Sequence, residues 1–399
     1  MKVYCKSNDY FLMYDGEKFK EFKKRPNGYN ELHKDFYDEK MDLKTCLINY
    51  HNKLMIWFDE INTGLNLKLK REWYSSEVKL LYFLFKLFRT DKKAEYDPIT
   101  YDESLWIEKC YKAGLTYGEV GEYENVNAYD FKKFYSNIIG GDNTKKQFPV
   151  KAGEPKILTE LPEKMKDLQY GIYRVKITSK KENITKIFAF SKDHHYTHED
   201  IQYASFLKKW GFIDNIELIQ DGDDNALLYY ELINSKDIFG RYVNIINKLA
   251  LEYPKNKTIK ALLSSLWGRI WTKNTITRMT EEKWVSLDEE EQNKYYCVKV
   301  EFEFNYDRKE FDNILSFVKA SSLYKYNIRL QPFITSFARK KMGNQIVKYF
   351  DDIIRVQTDG VIFKNSDITC NIQKGLYIKD DKYDGKNIFI KNNKIVEIK

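Results

Sequence analysis

Ile353-Ile-Arg-Val-Gln-Thr-Asp-Gly-Val-Ile-Phe363 is the stretch that decides the reading of this chain. It reads as an apolar strand, a tip that carries Asp359, and a return strand over Val361–Phe363. A second lone acid, Asp130, sits in Asn127-Ala-Tyr-Asp-Phe-Lys-Lys-Phe-Tyr-Ser-Asn-Ile-Ile139, where a strand runs into a helical start. Between the two acids in the chain lies the helical segment Lys260-Ala-Leu-Leu-Ser-Ser-Leu-Trp-Gly268.

An acid at a strand end is costly to desolvate unless it meets a cation or a metal. Two such acids that converge can hold a pair of divalent ions, the arrangement used for in-line phosphoryl or nucleotidyl transfer. A lysine on a facing helix would then neutralise a triphosphate. Taken alone, either acid reads more simply as a turn cap, and Lys260 as an ordinary exposed helix lysine. The order acid, lysine helix, acid is what favours the chemical reading.

The chain has 399 residues, enough for two or three subdomains and a sizeable core. Hydrophobic residues make up 43% and aromatics 16%, which excludes a disordered chain. The formal net charge of +8 permits a polyanionic partner without requiring one. Five scattered cysteines with no C-x-x-C pair indicate neither a disulfide framework nor a zinc ribbon, and fit a reducing compartment. The N-terminus lacks the apolar core of a signal peptide, and no segment has the ~18 consecutive apolar residues of a membrane span. A cytoplasmic or host-cell replication compartment is the expectation.

Outward from the acids, Leu54–Phe58 reads as a short buried strand and Val78–Phe88 as a helix. A change of composition at Gly114–Gly121 marks a boundary. Tyr173–Thr178, Ile213–Leu218 and Ala226–Leu232 read as strands, and Thr197–Trp210 as a capped helix that ends near Gly211. Ile238–Leu251 and Thr258–Trp271 read as a helical hairpin about Tyr253-Pro-Lys-Asn256. Asp288–Glu291 is an acidic helical run, and Tyr296–Phe304 a strand. His194-His195-x-x-His198 lacks a Cys or a positioned acid, so it reads as a surface helix start rather than a zinc site.

At these residues the sequence resembles family B DNA polymerases, and among them the protein-primed branch of phages, linear plasmids and viruses. Asp130-Phe-Lys-Lys-Phe-Tyr-Ser-Asn137 resembles motif A, D-x-x-S-L-Y-P-S. Lys260–Gly268 resembles motif B, K-x-x-x-N-S-x-Y-G, with Ser264 for Asn and Trp267 for Tyr. Gln357-Thr-Asp-Gly360 resembles motif C, D-T-D-S, with Gln357 for the first Asp and Gly360 for Ser. Phe333-Ile-Thr-Ser-Phe-Ala-Arg339 is close to the F-I-T-A-x-A-R segment that precedes motif C.

The resemblance implies an α+β right hand: palm sheet, two-helix fingers and a reduced thumb. Its divisions are an N-terminal region (1–120), palm (121–237), fingers (238–272), an insertion (273–330), palm again (331–366) and a thumb-like tail (367–399). It implies that Asp130, Asp359 and the carbonyl of Phe131 hold two Mg²⁺, or Mn²⁺ in their place. Tyr135, Lys260, Ser264, Lys257 and Arg241 would bind the dNTP, with Tyr135 excluding a 2′-hydroxyl. Ser265, Gly268, Thr358, Lys374 and Tyr377 would bind DNA. The partners implied are a primer-template, dNTPs and a terminal protein or processivity subunit, with no membrane. Phe58-Asp-Glu-Ile61 has adjacent acids rather than D-x-E, and the D-x-E spacing of Asp288 and Glu290 lies after motif B, in the wrong order for an exonuclease, so proofreading is not expected. Gln357 and the altered motif A keep two alternatives open: a catalytically degenerate nucleic-acid-binding protein, and a template-independent nucleotidyltransferase or primase.

Overall fold

The computed structural model describes residues 3–6, 11–23, 30–32, 37, 41–70, 77–91, 94–140, 145–271, 277–305, 310–319, 328–364, 377–380 and 382–398. The chain forms two compact units. The first comprises 1–93, 139–146 and 235–269, and the second 94–138, 147–234 and 270–399.

In the first unit, strands Phe19–Phe22, Phe11–Tyr14, Val3–Lys6 and Asn30–Glu31 pair in that order. Helix Leu43–Gly64 starts at Asp42, whose carboxylate accepts the N–H groups of Lys44 and Thr45. It buries Leu47, Tyr50, Leu54, Trp57, Phe58 and Ile61, a helical stripe. Leu54–Phe58 is therefore helical, not the expected strand. The five-residue apolar run has no period of its own, and the flanking buried residues supply one of 3.6.

Val78–Phe88 lies in a helix as expected, Glu77–Phe88. The helical hairpin is present as Arg241–Glu252 and Lys257–Ser264, the second continued after Ser265 by Leu266–Ile270. Asn256 fixes its bend: the side-chain oxygen accepts the Ile259 N–H, while the amide nitrogen donates to the Trp57 carbonyl (3.0 Å) and to Glu60 (2.8 Å). Tyr242 ties the two helices by donating to the Leu262 carbonyl at 2.8 Å.

The second unit is built on a five-stranded sheet, Tyr377–Lys379, Asn127–Phe131, Gly360–Phe363, Ile353–Gln357 and Thr116–Gly118, in that spatial order. Every neighbouring pair is antiparallel. Thr116–Gly118 and Gly121–Tyr123, where the composition changes, are both strands of this unit. Gly171–Thr178 anchors another sheet, with Ile172, Tyr173, Val175 and Ile177 buried. The expected strand Ala226–Leu232 divides into Ala226–Leu228, which pairs with Gly171–Tyr173, and Leu232–Asn234, which pairs with Gln147–Pro149. Helix His198–Lys209 is capped by Thr197 as expected. The three-stranded sheet of Thr277–Thr280, Glu310–Lys319 and Tyr295–Asn305 contains the expected strand near Tyr296–Phe304.

Helix Leu330–Ile346 is buried along nearly its whole length. An arginine anchors each part of it. Arg329 forks onto Glu103 and donates to the carbonyls of Asp97 and Pro98; Arg339 forks onto Asp200. Both guanidinium groups are only 2% exposed, so each needs these partners to offset its desolvation. Among the described residues no helix is long and apolar enough to cross a membrane.

The histidine run departs from expectation. His194 is exposed, but His195 and His198 are buried, so the segment is not a surface helix start. His195 lies in strand His195–Thr197 beside the Gly171–Thr178 strand, which draws it inward.

Candidate active site

The strand register places the two acids. Gly360 is opposite Asp130 on one side and Gln357 on the other, Gln357 is opposite Thr116, and Asp130 is opposite Ile378. One row thus crosses all five strands: Thr116, Gln357, Gly360, Asp130, Ile378. Directly opposed residues share a face of a sheet, so Asp130 and Gln357 look out on the same side with the bare glycine between them. With strands about 4.8 Å apart, their backbones are separated by roughly 10 Å. A Cβ built on Gly360 would come 3.8 Å from Oδ1 of Asp130.

Asp359 sits at the hairpin tip, as expected. The Phe131 N–H donates to the Asp359 carbonyl at 2.8 Å, which joins the end of the Asp130 strand directly to the tip. The tip is held in a demanding conformation. Thr358 has φ 57°, a left-handed geometry that a β-branched residue rarely adopts. Its N–H donates to the Leu115 carbonyl at 2.8 Å. Gly114 makes room for it: a Cβ there would stand 3.1 Å from Cα of Thr358. Strain of this kind is kept where the surroundings over-determine it, commonly at functional sites.

Asp359 is half-buried, and burial raises its carboxyl above the ordinary range. A carboxylate held in that state gains from a nearby cation. Tyr135 lies on the short helix Phe134–Ile139 that follows the Asp130 strand. Burial, reinforced by the charge of Asp359 and opposed by that of Arg339, pushes its phenol up to about 12, so at neutral pH it is an uncharged ring within the field of the tip. Asp130, Phe131, Thr358, Asp359 and Tyr135 are thereby brought together.

Gln357 does not act alone. Arg355, two residues earlier on the same face, donates from Nη2 to its side-chain oxygen, and the guanidinium lies 5.8 Å from the Tyr383 ring centroid. Arg355 is 7% exposed, and burial lowers its pKa. No pattern in the sequence points to Arg355, Lys112, Asp200 or Gly114. Arg339 ends the Phe333–Arg339 segment, but that motif names no partner for it.

The motif B residues belong to the first unit. Lys257, Lys260, Ser264 and Gly268 recur at three- and four-residue intervals and are all exposed, while Thr258, Ile259, Leu262 and Leu266 face inward. They form one solvent-facing stripe. Ser264 donates to the Lys260 carbonyl at 3.2 Å, and a Cβ on Gly268 would meet nothing within 4 Å. Ser265 is the exposed C-cap of helix Lys257–Ser264, and Arg241 lies over the Phe88 ring, 6.0 Å from its centroid. Lys374 lies outside the described residues. Tyr377 opens the edge strand and pairs by register with Phe131.

No protein-family model matches the chain. A DNA polymerase from Kluyveromyces lactis is 23% identical over 246 residues, 56% of this chain and 22% of that protein. Among solved structures, phi29 DNA polymerase with primer-template DNA matches with a TM-score of 0.52 and 16% identity, covering 92% of this chain and 60% of that one. Phi29 DNA polymerase with single-stranded DNA gives 0.53 and 16% over 92% and 59%. The ternary complex with primer-template DNA and incoming nucleotides gives 0.52 and 12% over 88% and 59%. The chain thus spans about three-fifths of the length of these structures and about a fifth of the yeast protein. Over most of its length, this chain has the mixed helix-and-sheet fold of phi29 DNA polymerase.

Proposed function

We propose that the chain is a DNA-directed DNA polymerase that extends a primer by two-metal nucleotidyl transfer. The observation that supports this reading is the hydrogen bond from the Phe131 N–H to the Asp359 carbonyl, which joins the end of the Asp130 strand to the hairpin tip that carries Asp359. The donor set suits Mg²⁺. That ion takes hard oxygen ligands, keeps several waters and is commonly bound through one or two carboxylates plus substrate phosphates. Among the described residues no three His, Cys, Asp or Glu side chains form a closed metal cage, so a substrate would have to complete the shell. When bound, two Mg²⁺ or Mn²⁺ ions would lower the pKa of a primer hydroxyl and neutralise the charge on the leaving pyrophosphate.

The chain's own residues do the rest. Asp130 and Asp359 hold the cations, with the Phe131 carbonyl as a further oxygen ligand. The Tyr135 ring fills the space that a 2′-hydroxyl would need. Lys257, Lys260, Ser264 and Arg241 take the phosphates of the nucleotide, and Ser265, Gly268, Thr358, Lys374 and Tyr377 contact primer-template DNA. The phi29 complexes with primer-template and nucleotides support DNA and dNTPs as partners. Priming from a protein hydroxyl, the involvement of a terminal protein or processivity subunit, and the lack of proofreading belong to the same reading.

Gln357 favours a second reading. A neutral amide held by Arg355 removes one negative charge from the row, as in a polymerase-derived protein that binds nucleic acid without chemistry. Extension of a hairpin primer-template with one dNTP at a time separates the possibilities. Addition of only the nucleotide complementary to the template base supports a polymerase. Addition regardless of template points to a tailing enzyme, and duplex binding without addition to the degenerate reading.

A further inference from the structure

Two buried charges, Arg339 and Asp200, and the largely covered Lys112 converge outside the two-acid site. Arg339 Nη2 donates to both oxygens of Asp200 at 2.9 Å, and Nε donates to Oδ1 at 3.2 Å. Its Nη1 holds two consecutive carbonyls, those of Lys112 (2.6 Å) and Ala113 (2.9 Å). Lys112 Nζ closes the cluster at 3.4 Å from Asp200 and donates to the His195 carbonyl at 3.3 Å. Burial works against the Asp200 charge, yet Arg339 and Lys112 hold its carboxyl below the usual range.

A buried ion pair of this kind is weak evidence for stability, because well-packed apolar residues often do as well. What apolar residues cannot do is grip two adjacent carbonyls in a fixed direction. The gripped segment leads within two residues to Gly114, which makes room for Thr358, and to Leu115, whose carbonyl receives the Thr358 N–H. Thr358 is the left-handed residue that immediately precedes Asp359. A planar fork is suited to such a task, since it fixes direction as well as charge.

We infer that Arg339, Asp200 and Lys112 are positioning residues for the metal site: through Lys112–Leu115 they hold Thr358 left-handed and so set the Asp359 carboxylate in its cation-binding place. This inference rests on the proposed two-metal reading. Arg339 acts through the loop, since its donors are committed to Asp200 and the two carbonyls.

The test uses the full chain. Mn²⁺ binding is followed by electron paramagnetic resonance of the free ion with a dNTP present and DNA absent, corrected for the ion that the dNTP binds alone, alongside the Mg²⁺ dependence of primer extension and the KM for primer-template. Arg339→Lys keeps a cation opposite Asp200 but cannot hold both carbonyls. The expected result is a roughly tenfold weaker Mn²⁺ Kd and a similar rise in the Mg²⁺ needed for half-maximal extension, with a smaller rise in KM for primer-template, since Thr358 is one of several DNA contacts. A purely structural role would lower the folded fraction and leave the Kd of the folded remainder unchanged; that result would overturn the inference. If Arg339→Lys does not fold, Lys112→Met, which leaves the Arg339–Asp200 fork whole, decides it by the same criterion. Wild type that binds Mn²⁺ but extends no primer would contradict the polymerase reading alone, with the Kd of the variants still deciding the positioning role. Wild type that binds no Mn²⁺ would overturn both.

Discussion

Gly360 stands directly across from Asp130 on the neighbouring strand, with no side chain of its own and room for one: a Cβ would lie 3.8 Å from Oδ1 of Asp130, an ordinary contact. The glycine is therefore not required by sterics. Glycine within a strand costs about 0.5–1 kcal/mol relative to alanine, an upper bound for Gly360, which opens its strand. Gly360→Ala is expected to stabilise the chain by up to that amount in urea unfolding. Gly360→Ser, which restores the residue of motif C, is expected to fold and to retain primer extension. Loss of the fold in either variant would show that the row is packed more tightly than its register implies.

Gln357 is held by a buried arginine. That bond already has one charged partner, and Gln357 is exposed, so an ionised acceptor adds ion-pair energy of only about 0–1 kcal/mol. Gln357→Asp should therefore raise the unfolding midpoint slightly by giving Arg355 an ionised partner, and should lower the Mg²⁺ concentration needed for half-maximal extension by adding a carboxylate to the row. An unchanged midpoint together with a higher Mg²⁺ requirement would mean that Arg355 neutralises the new acid at no gain.

Gly343 lies on the buried helix Leu330–Ile346, where a Cβ would stand 2.0 Å from the Tyr203 hydroxyl and 2.9 Å from the Ile187 carbonyl. At an exposed helix position alanine would add about 1 kcal/mol of stability over glycine. Here overpacking is expected to reverse the sign, with Gly343→Ala costing about 1–3 kcal/mol. Denaturant midpoints of wild type and variant give the answer; a stabilised variant would mean that the Tyr203 ring yields readily.

His195 supplies a pH dependence. Burial lowers its imidazole to about 4 from an ordinary value of 6.5, and its Nδ1 lies 2.5 Å from the Asp193 carbonyl. The unfolded chain takes up a proton below pH ~6.5, while the folded chain resists until about 4. The stability tied to the neutral ring is thus fully present above pH ~6.5 and is lost as pH falls to about 4. At about 1.4 kcal/mol per unit, the loss is on the order of 3 kcal/mol. Urea unfolding at a series of pH values between 7 and 4 should show this slope in wild type and a flatter one in His195→Asn. Equal slopes would assign the acid sensitivity to other groups.

The chain's legibility followed the range of the forces involved. The hairpin with Asp359 at its tip, the strand before Asp130 and the paired helices on either side of Asn256 are set by local apolar pattern and turn chemistry, and were readable. Leu54–Phe58 was misread because its helical period emerges only over the 22 residues of Leu43–Gly64. His195 was misplaced because its burial comes from pairing with a strand about twenty residues earlier. The supports of the tip were invisible for the same reason on a larger scale. Arg339 meets Asp200 across 139 residues and Lys112 across 227, and no spacing rule connects them.

On the proposed function, Asp130 and Asp359 act as one metal-holding pair in templated nucleotide addition. The most direct measurement is primer extension on a templated hairpin with Mg²⁺ and dNTPs, comparing wild type with Asp359→Asn and Asp130→Asn. The expected result is template-directed extension by wild type and a loss of at least 10³-fold in each variant with duplex binding retained, on the order of 4 kcal/mol of transition-state stabilisation. Extension that survives either substitution, or wild type that binds duplex and adds no nucleotide, would contradict it.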